Sequence, residues 1–179
     1  MKLRKTILTA LFAALTCVAT LVITIPSPTG GFFNLGDCIV ILSAVILGPV
    51  YGMLAAGIGS GLADILAGFA TYAPATLVIK ALMGLAVGTI YQAFAKSGRH
   101  FGHSIAGAAV GGVAAENIMV LGYFLYETVL YGAPAAFGNV LTTNLPQAAV
   151  GLVGGLALFT VLDRTKLTTK LAGGLHHVA

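Results

Sequence analysis

Six apolar stretches, separated by short polar or Gly/Pro-rich breaks, cover most of the 179-residue chain. A bilayer-crossing helix needs roughly 20 apolar residues at about 1.5 Å rise each. On that rule the pattern predicts spans over residues 6–25, 37–48, 50–69, 75–95, 104–131 and 136–162. Pro26 and Pro28 end the first, Pro74 precedes the fourth, and Gly132 to Pro134 parts the fifth from the sixth. The second stretch is short, about 18 Å as a helix. The run 6–25 is too long for the apolar core of a signal peptide, so it reads as a mature helix.

Charge decides whether the short stretch crosses. Lys2, Arg4 and Lys5 precede the first span, Lys96 and Arg99 lie between the fourth and fifth, and Arg164, Lys166 and Lys170 follow the sixth. If the second stretch crosses, all of these share one side, which the positive-inside rule makes cytoplasmic. The opposite connections hold no Lys or Arg. The expectation is an all-α integral membrane protein with six transmembrane helices in one domain spanning 1–179, and with both termini cytoplasmic.

Composition agrees. Hydrophobic residues make up 58% and charged residues 8%, and mean hydropathy is +1.00. Soluble domains carry about 25% charged residues, so neither a soluble globule nor a disordered chain fits. The net charge of +4 belongs to helix-flanking clusters and not to a nucleic-acid surface. Cys17 and Cys38 fit no metal or disulfide framework and read as small buried residues. His100, His103, His176 and His177 read as solvated. No P-loop string is present. Small residues four apart, as in Gly57/Gly61, Gly84/Gly88, Gly107/Gly111 and Gly151/Gly155, predict close helix packing. Ala10 and Ala14 form a similar pair, for internal packing or for docking on another membrane protein.

Ionisable groups within spans are costly and point to function. They are Asp37, Asp64, Lys80, Glu116 and Glu127, with amides at Asn34, Asn117, Asn139, Asn144 and Gln147. By position along the spans, all except Glu116 and Asn117 gather in the outer half, which argues for a pocket open to the outside and against a channel or a face-to-face proton relay. Glu116, Tyr123 and Glu127 share a helix face. Pro146, between Asn144 and Gln147, should loosen the local backbone. Asp37 reads equally well as an N-cap, and Glu127 as a headgroup-level residue. Lys80 needs an acceptor, and Asp64 or Glu127 would serve.

The strings Gly31-Phe32-Phe33-Asn34-Leu35-Gly36-Asp37, Ser60-Gly61-Leu62-Ala63-Asp64-Ile65-Leu66-Ala67-Gly68 and Ala73-Pro74-Ala75-Thr76-Leu77-Val78-Ile79-Lys80 resemble the substrate-binding S components of energy-coupling factor (ECF) vitamin transporters. The nearest-looking group is the one assigned to hydroxymethylpyrimidine or pyridoxine. The resemblance implies a multi-pass protein of a bacterial plasma membrane. It would capture a small water-soluble vitamin from outside and dock on a transmembrane coupling subunit with two ATPase subunits. The S component would bind no cofactor itself, ATP being used by the partners, and would not be an enzyme. Ala10 and Ala14 match the family's docking motif.

The expected binding residues are Asn34, Asp64, Tyr72, Lys80, Glu116, Tyr123, Asn144 and Gln147. Lys80, Asn144 and Gln147 would hydrogen-bond the ring, and Tyr123 or Tyr72 would stack on it. Phe32 and Phe33 would close over it, hinged at Gly30 and Gly31. Two other classes compete. An ion-driven secondary transporter would show repeated halves, and none is found. A small integral membrane enzyme would need a paired acid and base, and no His lies in a span.

Overall fold

The structure, a computed structural model, describes residues 2–27, 31–97, 101–166 and 168. Gly30, Arg99, His100, Lys170, His176, His177 and the side chain of His103 lie outside the described residues. The chain forms helices α1 (Lys2–Val22), α2 (Gly36–Leu47), α3 (Pro49–Leu66), α4 (Ala73–Ser97), α5 (Phe101–Tyr131), α6 (Ala133–Asn139) and α7 (Leu145–Arg164). A two-stranded antiparallel hairpin, β1 (Ile25–Pro26) with β2 (Phe32–Phe33), lies between α1 and α2. A π-turn, Val140–Asn144, joins α6 to α7, and the three run as one apolar helical segment from Ala133 to Arg164. Among the described residues, five segments are long and apolar enough to cross a membrane, with α2 as a further, shorter apolar helix.

The first helix stops short of its expected end. Val22, Ile23, Thr24 and Ile25 are β-branched, and a residue before proline avoids the helical region. Ile25 and Pro26 therefore extend and pair with Phe33 and Phe32. Helix α3 also ends early. Gly68 takes φ +85°, its N–H reaches Ile65 O at 3.2 Å, and Phe69 N–H reaches Asp64 O at 2.8 Å. That is a Schellman cap, which a glycine in the left-handed region permits.

Helix α2 is the axis of the bundle, packed against α1, α3, α4, α5 and α7. Apart from Asp37 and Ser43 its residues are apolar on nearly every side, and most of the helix is buried. Val40, Ile41 and Ala44 are fully enclosed. The four expected glycine pairs all lie at helix contacts. A Cβ on Gly57 would sit 2.8 Å from Leu77 O, and one on Gly84 2.7 Å from Gly52 O. One on Gly107 would sit 2.8 Å from Phe94 Cβ, and one on Gly151 2.6 Å from Asp37 Cβ. The flanks carry exposed Leu, Ile and Val along α1, α3, α5 and α7, a surface suited to lipid and far too apolar for water.

Side-chain contacts define the two ends. Phe32 packs on Phe69 at 4.7 Å, and the Tyr126 hydroxyl donates to Thr71 O. This is the hairpin end. Lys5 lies 5.6 Å above the Tyr51 ring, and Tyr91 meets Phe159 edge-on at 5.8 Å. This is the basic end, where Lys96 closes α4 and Arg164 closes α7.

Candidate functional site

At the hairpin end a small cavity is lined by Gly31, Phe32, Asn34, Asp64, Tyr72, Thr76, Tyr123, Glu127, Asn139, Thr143, Asn144 and Gln147. Its volume is about 30 Å³, room for one or two water molecules. Several elements at that end contribute. Strand β2 and its flanks form the roof, the end of α3 gives Asp64, the start of α4 gives Thr76, and α5 gives Tyr123 and Glu127. The loop before α4 gives Tyr72, and the α6–π–α7 segment gives Asn139, Thr143, Asn144 and Gln147.

Two hydrogen-bonded chains organise the site. In the first, the backbone N–H and the Nδ2 of Asn34 both donate to Gln147 Oε1, at 3.0 and 3.2 Å. Gln147 Nε2 donates to Asp37 Oδ2 at 2.8 Å, and Asp37 Oδ1 accepts from Lys80 Nζ. Lys80 also lies 5.7 Å from the Tyr123 ring centroid, a cation–π approach. In the second, Ser27 Oγ donates to Asn139 Oδ1. Asn139 Nδ2 and the Tyr72 hydroxyl both donate to Glu127 Oε1, the latter at 3.3 Å. Thr76 Oγ1 and the Tyr123 hydroxyl share a bond of 2.9 Å. Both chains tie the hairpin region to the α6–π–α7 segment, through Ser27–Asn139 and Asn34–Gln147. The π-turn falls between those two anchor points. Pro146 has no N–H to give the helical ladder, and π-turns recur at functional sites.

Residues 1–164 match the family described as "ECF-type riboflavin transporter, S component". The chain belongs to the S components of ECF transporters. A Pyrococcus woesei protein described as an uncharacterized protein in the gap 3′ region is 36% identical over 148 residues, covering 82% of this chain and 93% of that protein. The crystal structure of an S component for biotin from an ECF-type ABC transporter superposes with a TM-score of 0.65 at 14% identity. That superposition covers 91% of this chain and 92% of the other, so the fold is shared.

The S component places the sequence-derived residues as follows. Asn34, Asp64, Tyr72, Tyr123, Asn144, Gln147 and Phe32 line the cavity. Lys80 and Glu116 do not; they sit deeper, both buried. The expected partners of Lys80, Asp64 and Glu127, are replaced by Asp37. Asp37 is no N-cap. Leu35 holds that position, Asn34 Oδ1 accepts the Gly36 N–H at 2.9 Å, and Asp37 is fully buried in the first turn, where the helix dipole favours a carboxylate. Glu127 is not solvated at the headgroups but 1% exposed. Phe33 is half-buried and points away from the cavity that Phe32 lines, as strand alternation requires. Asn117 faces outward and bonds its own helix, at Val113 O.

Sequence reasoning passed over Thr76, Asn139 and Thr143 as lining residues. Asn139, Thr143 and Gln147 are four apart, with Asn144 beside them, and this polar stripe was the available signal. Ala10 and Ala14 of the S component are exposed and line an apolar groove of about 480 Å³ with Tyr51, Leu54, Ile58 and Leu62. Their neighbour Ala13 makes the internal contact, its carbonyl lying 2.4 Å from where a Gly59 Cβ would stand.

Proposed function

We propose that this S component captures a small, flat, water-soluble vitamin or vitamin precursor in the hairpin-end cavity, with pyridoxine and hydroxymethylpyrimidine favoured. The carrying observation is the concentration of buried polar groups under the β1–β2 strap, while the basic end is closed by apolar packing. The hairpin end faces outward, by the positive-inside rule applied to Lys5, Lys96 and Arg164 at the other end. The cavity is far below the roughly 300–1,000 Å³ of pockets for drug-sized ligands, so admitting a ring requires the Phe32 strap to swing aside.

Asn34, Asp64, Tyr72, Tyr123, Asn144 and Gln147 touch the ligand in this reading, and Glu127 joins them. Lys80 acts through Asp37 and Gln147, fixing the amide that holds Asn34. Glu116 lies in the layer beneath. The exposed Ala10–Ala14 face meets the transmembrane coupling subunit, whose two ATPase partners supply the energy. The matching family description names riboflavin, which makes a flavin the second reading. Uptake into vesicles reconstituted with the chain and an ECF module tests the whole. Uptake should require ATP and survive collapse of the proton gradient. Uptake that follows the proton gradient without ATP would contradict the assignment.

A further inference from the structure

We infer that the cavity selects its ligand by polarity: it takes a neutral or cationic heteroaromatic ring bearing N–H or O–H donors on two edges, and rejects anions. This deepens the binding-subunit reading above and rests on it. Three polar atoms of cavity-lining residues are buried without a partner: Asp64 Oδ2, Glu127 Oε2 and Asn144 Nδ2. Their residues are 4, 1 and 5% exposed. Two of the three are carboxylate oxygens and one is an amide donor.

The groups around them are already committed. Glu127 Oε1 accepts from both Tyr72 and Asn139, so as a carboxylate Glu127 keeps the unpartnered Oε2 as its remaining acceptor. Gln147 is held between Asn34 and Asp37. Thr76 and Tyr123 share one hydrogen bond, and Thr76 also bonds the Asp64 carboxyl, which leaves Asp64 Oδ2 unpartnered. Among the described residues no Lys or Arg lines the cavity, and the nearby Lys80 has its charge matched by Asp37. A buried polar atom without a partner is costly, and a ligand that supplies the partner relieves that cost.

The unmet demand is for two donors and one acceptor. A ligand carboxylate or phosphate would meet two carboxylates and only one N–H, and like charges in a low dielectric repel strongly. An aminopyrimidine offers an exocyclic amine toward one carboxylate, a hydroxymethyl toward the other and a ring nitrogen toward Asn144. Pyridoxine offers hydroxyls and a ring nitrogen in a comparable way.

The test is calorimetric titration of the purified full chain in detergent. The probes are hydroxymethylpyrimidine, its des-amino analogue, pyridoxine, the phosphate esters of both vitamers, biotin and riboflavin. The donor-bearing, uncharged rings should bind one to one. The des-amino analogue should bind about tenfold more weakly or worse, and the phosphate esters and biotin should not compete. Glu127→Gln and Asp64→Asn, which keep shape but turn an acceptor toward donation, should each weaken hydroxymethylpyrimidine binding by about tenfold or more. Equal binding of a phosphate ester or of the des-amino analogue to the unmodified protein would overturn the polarity rule while leaving a binding subunit in place. So would a well-folded Glu127→Gln protein that binds like the parent. No binding by any probe would overturn both readings.

Discussion

Replacing Asp37 by Asn tests whether the Lys80–Asp37 pair is the electrostatic keystone of the site. Asn keeps an oxygen for Gln147 Nε2 but removes the charge and turns an amide donor toward Lys80 in place of the oxygen that accepts from it. The Lys80 side chain is 2% exposed and that of Asp37 0%, so neither charge can recruit bulk water. Breaking such a pair from one side costs about 3–5 kcal/mol, a large share of a typical stability of about 5–15 kcal/mol. Lys80→Met leaves the Asp37 carboxylate uncompensated and should cost a similar amount. The double variant Asp37→Asn/Lys80→Met removes both charges, and apolar or neutral replacement of a buried pair is often near neutral. The two single costs should therefore not add, and the coupling should exceed about 2 kcal/mol. Unfolding in detergent can be followed by the thiol reactivity of Cys17, which is 7% exposed in the folded chain. Additive single effects, with coupling under about 0.5 kcal/mol, would refute the pairing, as would an unchanged midpoint for Asp37→Asn.

Other substitutions probe separate parts of the account. Gly151→Ala would place a Cβ 2.6 Å from Asp37 Cβ and 2.7 Å from Glu116 Oε1; a loss of about 1–3 kcal/mol is expected from overpacking, and unchanged thermal stability would contradict the close α2–α5–α7 approach. Phe32→Ala removes the roof ring packed 4.7 Å from Phe69 and should raise the ligand dissociation rate roughly tenfold or more, with a smaller effect on association; stopped-flow displacement would show it. Ala10→Leu with Ala14→Leu should leave ligand binding intact and abolish ATP-driven uptake by the reconstituted complex. Loss of binding in that variant would mean that the α1 face serves the pocket and not docking.

Much of this was legible in the sequence because membrane solvent leaves few options. Apolar run length sets the helices, and each buried charge must have a reason. The glycine pairs also read through directly, since close approach needs no knowledge of which helix is the neighbour. What stayed hidden depended on pairing across the bundle. Nothing in one dimension says that Lys80 meets Asp37, 43 residues away, rather than Asp64. An N-cap and a buried ion-pair partner look alike when both open an apolar helix. Glu127 lies near the end of α5, where depth counted from the helix end suggests solvent. The Ser27 and Tyr72 loops fold back over it, and sequence distance gives no hint of that. The π-turn was foreshadowed only as a loosened backbone at Pro146.

The most direct test of a vitamin site under the hairpin compares two proteins in one calorimetric experiment. Thr143 is buried in the cavity wall, and Thr143→Phe fills the space with a ring of the chain's own. The unmodified chain should give a saturable one-to-one heat with hydroxymethylpyrimidine or pyridoxine. Thr143→Phe, folded and equally monodisperse, should give none. Equal heats from both proteins would put the ligand elsewhere, and no heat from the unmodified chain with any vitamin would contradict the account at its root.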